Sequence, residues 1–284
     1  MSTLRTIAEA REALALHRRE ARTVGLVPTM GALHEGHLSL LRRARADNDI
    51  VVMSLFVNPT QFNDPGDLDA YPRDEARDLE LAAREGVDHV FAPSADELYP
   101  AGFSTTVTVA GVTEMLEGVH RGRAHFDGVA TVVTKLFNII GPDVAYFGQK
   151  DAQQAVVIRR FVEDLDIPVR IAVCPTVREP DGLALSSRNA HLSPPERERA
   201  TALHRALDAA RAVAARGERD PDAVAAPARA VLRDQGIAPE YFELVDADTM
   251  APAAHINGNV LALVAARIGT TRLIDNERLT TGDH

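Results

Sequence analysis

Short apolar runs alternate along the first half of the chain with stretches whose apolar residues recur every three or four positions. The runs Thr23–Val27, Ile50–Val57, Val87–Phe91, Thr105–Val109, Val144–Phe147 and Val169–Val173 predict strands. Between them the spacing predicts helices over Thr6–Ala21, from His37 through Leu38, Leu41 and Arg45, over Asp74–Glu85, over Val129–Ile140 and over Asp151–Leu165. Gly141-Pro142 stops the fourth of these. Strands separated by helices predict an α/β fold with a doubly wound parallel (Rossmann-like) sheet, whose ligands collect beyond the carboxyl ends of the strands.

After about Thr176 the pattern changes. Ser193-Pro194-Pro195-Glu196 reads as a capping box ahead of a helix that continues through Leu203, Leu207, Ala210 and Ala214 to Gly217. Asp220-Pro221 opens a second helix, which Pro227 should kink or shorten and Gly236 should stop. Tyr241–Val245, Val260–Ile268 and Thr271–Ile274 read as strands, with a turn at Asn257-Gly258. The expected organisation is a domain over 1–176 and a smaller α+β domain over 177–284.

Composition narrows the function classes. The 284 residues carry 31 basic and 41 acidic side chains, a net charge of −10, which argues against a protein that wraps nucleic-acid phosphates. The apolar runs are far too short to span a bilayer, and the amino terminus shows no apolar signal core, so a soluble cytoplasmic protein is expected. The single cysteine, Cys174, lies in an apolar run and reads as core.

Candidate chemistry concentrates on Met30-Gly31-Ala32-Leu33-His34-Glu35-Gly36-His37. Pro28 and Gly31 turn the preceding strand, and a helix begins near the histidines. Unpaired N–H groups and the positive end of a helix dipole suit a polyphosphate there. Gly36 lets a flat ligand such as a purine approach the backbone. The plainer alternative is an ordinary loop-to-helix junction. A zinc helix would need its histidines four apart, and these are three apart.

Three other stretches point the same way. Gly148-Gln149-Lys150-Asp151 again joins a strand to a helix; Lys150 could neutralise phosphate, and Asp151 could cap the helix or touch a ribose. Leu185-Ser186-Ser187-Arg188 offers hydroxyls and a guanidinium as a clamp for terminal phosphates, or is only a serine-rich turn. Asn58 and Gln61 follow a buried strand, where amides suit the hydroxyl and carboxylate groups of a small acid.

Taken in order, Pro28-Thr29-Met30-Gly31, His34-x-Gly36-His37, Phe56–Phe62, Tyr71-Pro72-Arg73, His125–Val129, Phe147–Asp151 and Ser186–Asn189 closely resemble the pantothenate synthetase (pantoate–β-alanine ligase) family, over about Thr6–Asp275. The resemblance implies an ATP- and Mg²⁺-dependent ligase, typically a homodimer, with a smaller carboxyl-terminal domain covering the site. Pantoate would attack the α-phosphorus of ATP, giving pantoyl adenylate and pyrophosphate. β-Alanine would then take the pantoyl group, releasing pantothenate and AMP. An anion attacking an anion needs positive electrostatics and positioning. His34, His37, Lys150 and Arg188 are the residues the resemblance assigns to that charge, with His37 the donor to the departing phosphate oxygen.

By the same resemblance, Met30–His37, Gly148–Asp151, Val177 and Leu185–Arg188 hold the nucleotide. Gln61 and Gln154 hold pantoate, with Gln61 also beside β-alanine and Asn58 a further polar contact in that pocket. Asp78 matches an acidic position associated with the metal; its alternative is an exposed carboxylate pairing on an amphipathic helix. Leu185 stands where many members have methionine, a swap of similar volume. The basic segment His120-Arg121-Gly122-Arg123-His125 meets either substrate or a neighbouring subunit. Two rivals share the ATP site: a nucleotidylyltransferase, whose product would keep the nucleotide, and a non-catalytic nucleotide-binding module.

Overall fold

The structure, a computed structural model, describes residues Met1–Thr280. The chain forms two compact units: Met1–Gly148 with Val157–Cys174, and Gln149–Val156 with the chain from Pro175 onward. The segment 149–156 thus groups with the carboxyl-terminal residues.

The first unit holds six strands, β1 (Ser2–Leu4), β2 (Val24–Thr29), β3 (Ile50–Leu55), β4 (His89–Phe91), β5 (Val144–Gly148) and β6 (Arg170–Cys174). All pairings are parallel and the order is β1-β4-β3-β2-β5-β6. The sheet grows one way from β2 through β3 and β4, then the other way through β5 and β6. The switch point between β2 and β5 is where an open α/β sheet leaves a ligand crevice.

Both faces are buried, as a parallel sheet requires. On one face Val24, Leu26, Ile50, Val52, Ala145 and Phe147 pack with apolar residues of the helix Arg123–Ile140. On the other, Val27, Val51, Met53 and Tyr146 pack with Leu33, Leu40, Leu41 and Ala44. The helix Glu35–Asp47 that carries the last three is therefore clamped to the sheet beside its own strand.

The second unit is α+β. Its antiparallel sheet runs β7 (Pro239–Asp246), β8 (Val260–Ile268) and β9 (Thr271–Leu279), in the order β7-β8-β9. Leu203, Leu207, Ala210, Val224, Ala228 and Leu232 pack from its helices against Phe242, Val264 and Leu273 of that sheet.

Several elements differ from the expectation. Thr105–Val109 is not a strand: Val107 donates its N–H to Thr131 Oγ1 (2.9 Å), so the segment lies along a helix instead of entering a sheet. That helix begins at Arg123, six residues early, and the basic segment 120–125 straddles its start. The expected single helix after Ser193 is two, Pro194–Ala200 and Ala202–Ala215, with Thr201 Oγ1 donating to Glu198 O (2.7 Å) at the break. Pro227 does not shorten its helix, which runs Pro221–Asp234; Val224, Ala225, Ala228 and Leu232 are buried on both sides of the proline, and that packing outweighs one lost bond. β9 continues past Ile274 through polar residues to Leu279, and β1 is a strand too short to show a period.

Candidate active site

β2 ends at Thr29, whose hydroxyl donates to Ser54 O of β3 (2.7 Å) and accepts from Gly31 N–H (3.3 Å). The chain then reverses through two left-handed residues, Gly31 (φ +85°) and Ala32 (φ +52°). A Cβ on Gly31 would stand 2.7 Å from Asp78 Oδ2, so the loop needs glycine for both its φ and its space. Ala32 is held in its uncommon conformation because Ala32 N–H and Leu33 N–H donate to the two oxygens of Asp78 (2.9 and 2.8 Å). Asp78 is 1% exposed, so it is not the exposed, pairing carboxylate of the sequence alternative.

His34 caps the helix Glu35–Asp47. Its Nδ1 accepts from Gly36 N–H (3.1 Å), and His37 Nδ1 accepts from His34 N–H (3.3 Å). An amide can only donate, so each neutral ring carries its proton on Nε2. The rings lie 4.1 Å apart, tilted by 39°. Gly36 has a local reason too: a Cβ there would stand 2.9 Å from His34 Cε1 and push that ring off the helix end. Two imidazoles are thus fixed in one tautomer at the positive end of a helix, a donor array suited to phosphate oxygens.

Asn58 caps, and Gln61 ends, a 3₁₀ turn (Pro59–Gln61) that follows β3. Asn58 is 1% exposed, and its carboxamide serves the protein. Nδ2 donates to Gln61 Oε1 (3.0 Å) and Gly128 O (3.1 Å), while Oδ1 accepts from Thr60 Oγ1 and Tyr99 OH (both 2.9 Å). Asn58 therefore orients Gln61, whose Nε2 points to Met30 Sδ (3.1 Å) of the histidine loop. Gly128 allows the close fit, since a Cβ would stand 2.5 Å from Thr60 O. His125 Nδ1 sits 2.7 Å from Gln61 O, a carbonyl that only accepts, so His125 holds this turn through an Nδ1–H. Gly148 ends β5 with open space where a Cβ would lie.

In the second unit, Gln149–Asp151 form a 3₁₀ turn ahead of the helix Ala152–Asp164. Lys150 Nζ lies 3.8 Å from Asp151 Oδ1. Gln153 is 4% exposed, while Gln154 is more open to solvent. Val177 and Leu185 face each other across a narrow hairpin, Leu185 N–H donating to Val177 O (3.0 Å). Ser186 then caps the 3₁₀ turn Ser187–His191, accepting from Arg188 N–H (3.2 Å), and leaves Ser187 and Arg188 exposed. Leu185 and Ser186 are partly buried.

The structure groups Met30–His37 with Asn58, Gln61 and Asp78 in one unit, and Gln149–Asp151, Gln154, Val177 and Leu185–Arg188 in the other. Sequence reasoning missed the residues that hold these segments: Tyr99 beneath Asn58, and Arg178, Asp275 and Asn276 beneath the second group. The sequence carries no signal for the last pair, because Glu277 and Arg278 extend it into a run of four polar residues where the alternation that marks a strand is lost. Among the described residues no three His, Cys, Asp or Glu side chains gather as a metal site, and no helix is long and apolar enough to cross a membrane.

The family model for pantoate-β-alanine ligase matches residues 2–278. A pantothenate synthetase of Moorella thermoacetica is 53% identical over 287 residues, covering 100% of each chain. One from Roseiflexus castenholzii is 55% identical over 278 residues, covering 97% of this chain and 98% of that one. The crystal structure of pantothenate synthetase from Thermus thermophilus superposes with a TM-score of 0.92 at 46% identity, covering 99% of this chain and 100% of that one. A pantoate-β-alanine ligase from Francisella tularensis, complexed with β-γ ATP and β-alanine, gives 0.79 at 34% identity, covering 98% and 97%.

Proposed function

This chain belongs to the pantoate–β-alanine ligase family, and on that premise we propose how its residues carry out the ATP-dependent condensation of pantoate with β-alanine. The observation that carries the reading is the pair His34 and His37, each with Nδ1 held by a backbone N–H at the start of one helix. Their Nε2–H groups are the donors that meet the phosphates of ATP. Backbone amides hold the proton on Nε2 in the resting ring, so neither side chain must reorganise as charge builds.

Step one is attack of the pantoate carboxylate on the α-phosphorus, forming the acyl–phosphate bond as the bond to pyrophosphate breaks. His37 donates to the departing oxygen, and Lys150 and Arg188 stabilise charge on the leaving pyrophosphate. Gln61, turned by Asn58, holds pantoate together with Gln154. In step two the amine of β-alanine attacks the acyl carbon, the amide forms, and AMP leaves. Met30–His37, Gly148–Asp151, Val177 and Leu185–Arg188 bind the nucleotide, with Val177 and Leu185 against adenine.

Asp78 we assign to loop anchoring, because both its oxygens accept from Ala32 and Leu33 amides. Asp151, whose side chain is about half exposed beside Lys150, is the carboxylate that would hold Mg²⁺. The ion would supply neutralisation of phosphate charge there. The sequence pattern supports a two-domain division at 1–176 and 177–284 and a cytoplasmic location, and the family premise supports a homodimer, tested by a native mass twice that of the chain.

The test of the reaction is incubation with ATP, Mg²⁺, pantoate and β-alanine, omitting each in turn. Pyrophosphate and an adenylate should form without β-alanine, and AMP with an amide when it is added. A product that retains the nucleotide would replace this reading with a nucleotidylyltransferase.

A further inference from the structure

β9 of the second unit carries Asp275 and Asn276, which are 4% and 3% exposed. Buried acid and amide side chains at consecutive positions break the strand's alternation, and each is fully engaged. Asn276 Nδ2 donates to Gln149 O (3.0 Å) and Lys150 O (2.9 Å), while its Oδ1 accepts from Gln149 Nε2 (2.9 Å). One carboxamide therefore ties down both the main chain and a side chain of the turn that bears Lys150.

Asp275 accepts two bonds from Arg178, at 2.6 Å from Nη1 and 3.1 Å from Nη2. The same guanidinium donates to Gly182 O (3.1 Å) and Asn276 O (3.3 Å). Arg178 sits in the hairpin that pairs Val177 with Leu185 and leads into Ser186–Arg188. A bidentate Arg–carboxylate pair fixes orientation as well as distance. Asp275 then accepts from Asn276 N–H (2.8 Å), locking the two positions together. Consecutive strand residues point to opposite faces, so neighbours in sequence can brace segments that are themselves far apart.

We propose that Asp275 and Asn276 are positioning residues for the ligation: one strand dipeptide sets both the Lys150 turn and the Val177–Arg188 hairpin. Neither touches substrate. They act through Lys150 and Arg188, so the proposal rests on the reading of those two as phosphate-binding groups.

The experiment measures pantoate-dependent pyrophosphate–ATP exchange in the full chain, with a melting curve for each variant and all rates taken well below the lowest melting point. Lys150→Met tests the underlying reading; Asn276→Ala tests the positioning role; the double variant couples them. Asn276→Ala should lower kcat about 10²-fold, the scale of an ångström-level misplacement, and the double variant should be no worse than Lys150→Met alone. Asn276→Ser, which keeps a small donor, should recover part of the rate. If Asn276→Ala does not fold, Asn276→Ser against Lys150→Met gives the same comparison. Unaltered exchange in Lys150→Met would overturn the reading of the site itself. Loss there with a full rate in Asn276→Ala, or additive losses in the double variant, would overturn the positioning role alone.

Discussion

The loop that ends β2 and the turn that follows β5 are both strand-to-helix junctions, yet they are braced in opposite ways. The first largely supports itself. His34 caps its own helix, His37 reaches back to His34 N–H, and the remaining strain at Ala32 is met by a single buried carboxylate, Asp78. The second is tied to a distant strand. Its turn hangs on Asn276, 126 and 127 residues further along the chain, and its partner hairpin on Asp275. A motif whose geometry is enforced by its own residues announces itself in sequence; one enforced from a distant strand shows only its functional tips.

The largest effect should come from His37→Ala. It removes the donor assigned to the leaving oxygen, and loss of one such donor lowers kcat by about 10²–10³-fold. Its structural bond to His34 N–H contributes only about 1 kcal/mol, so the melting temperature should move by a few degrees at most. Exchange kinetics beside a melting curve separate the two. Unchanged turnover would remove His37 from the chemistry and reduce the self-supporting loop to a helix cap.

Asp78→Ala comes next and tests the brace itself. Two buried amides would lose their acceptor, at about 1–3 kcal/mol each, and Ala32 would lose what keeps it left-handed. Stability should fall by about 2–5 kcal/mol, read from denaturant midpoints, and exchange by about 10²-fold as the histidines drift. If stability falls while exchange does not, the loop is held by its histidines alone.

The same contrast explains what the sequence made legible. The alternation of apolar runs with helical spacing was enough for the parallel sheet, because a sheet buried on both faces must be written as apolar runs. Met30–His37 was readable because Gly31, Gly36 and the cap at His34 act within one loop. Asp78 was not: a lone aspartate on an amphipathic helix gives the same pattern whether it faces solvent or a strained loop. Nor was the end of β9, where Asp275, Asn276, Glu277 and Arg278 replace the apolar alternation that marks a strand. Thr105–Val109 shows the converse, an alternating segment whose N–H found a helix side chain before it found a sheet.

A smaller effect should follow Leu185→Met. Leu185 and Val177 are fixed by a main-chain bond between them, and the side chains differ little in volume, so stability should change by less than about 1.5 kcal/mol. The KM for ATP should stay within about tenfold and kcat should not move. A fall in kcat instead would mean that the hairpin transmits side-chain packing to Arg188, making the second region as local as the first.

The smallest effect concerns Glu277, which lies 3.7 Å from Arg178 on the flank of the Asp275 pair. Burial raises its pKa above the ordinary value near 4.5, and the nearby charges of Arg178 and Arg211 pull it down without cancelling that rise. The folded protein therefore takes up this proton before the unfolded chain does as pH falls. Its contribution to stability is complete below about 4.5 and is lost as pH rises through the folded value. At neutral pH the charged Glu277 is a small net cost, so Glu277→Gln should leave stability unchanged or raise it by less than about 1 kcal/mol. The gap between variant and parent should close as the pH is lowered toward 4.5, which chemical denaturation across that range would show. A variant less stable at neutral pH would mean that attraction to Arg178 outweighs burial. The second region would then rest on two carboxylates around one guanidinium, and the brace at Asp275 would be shared.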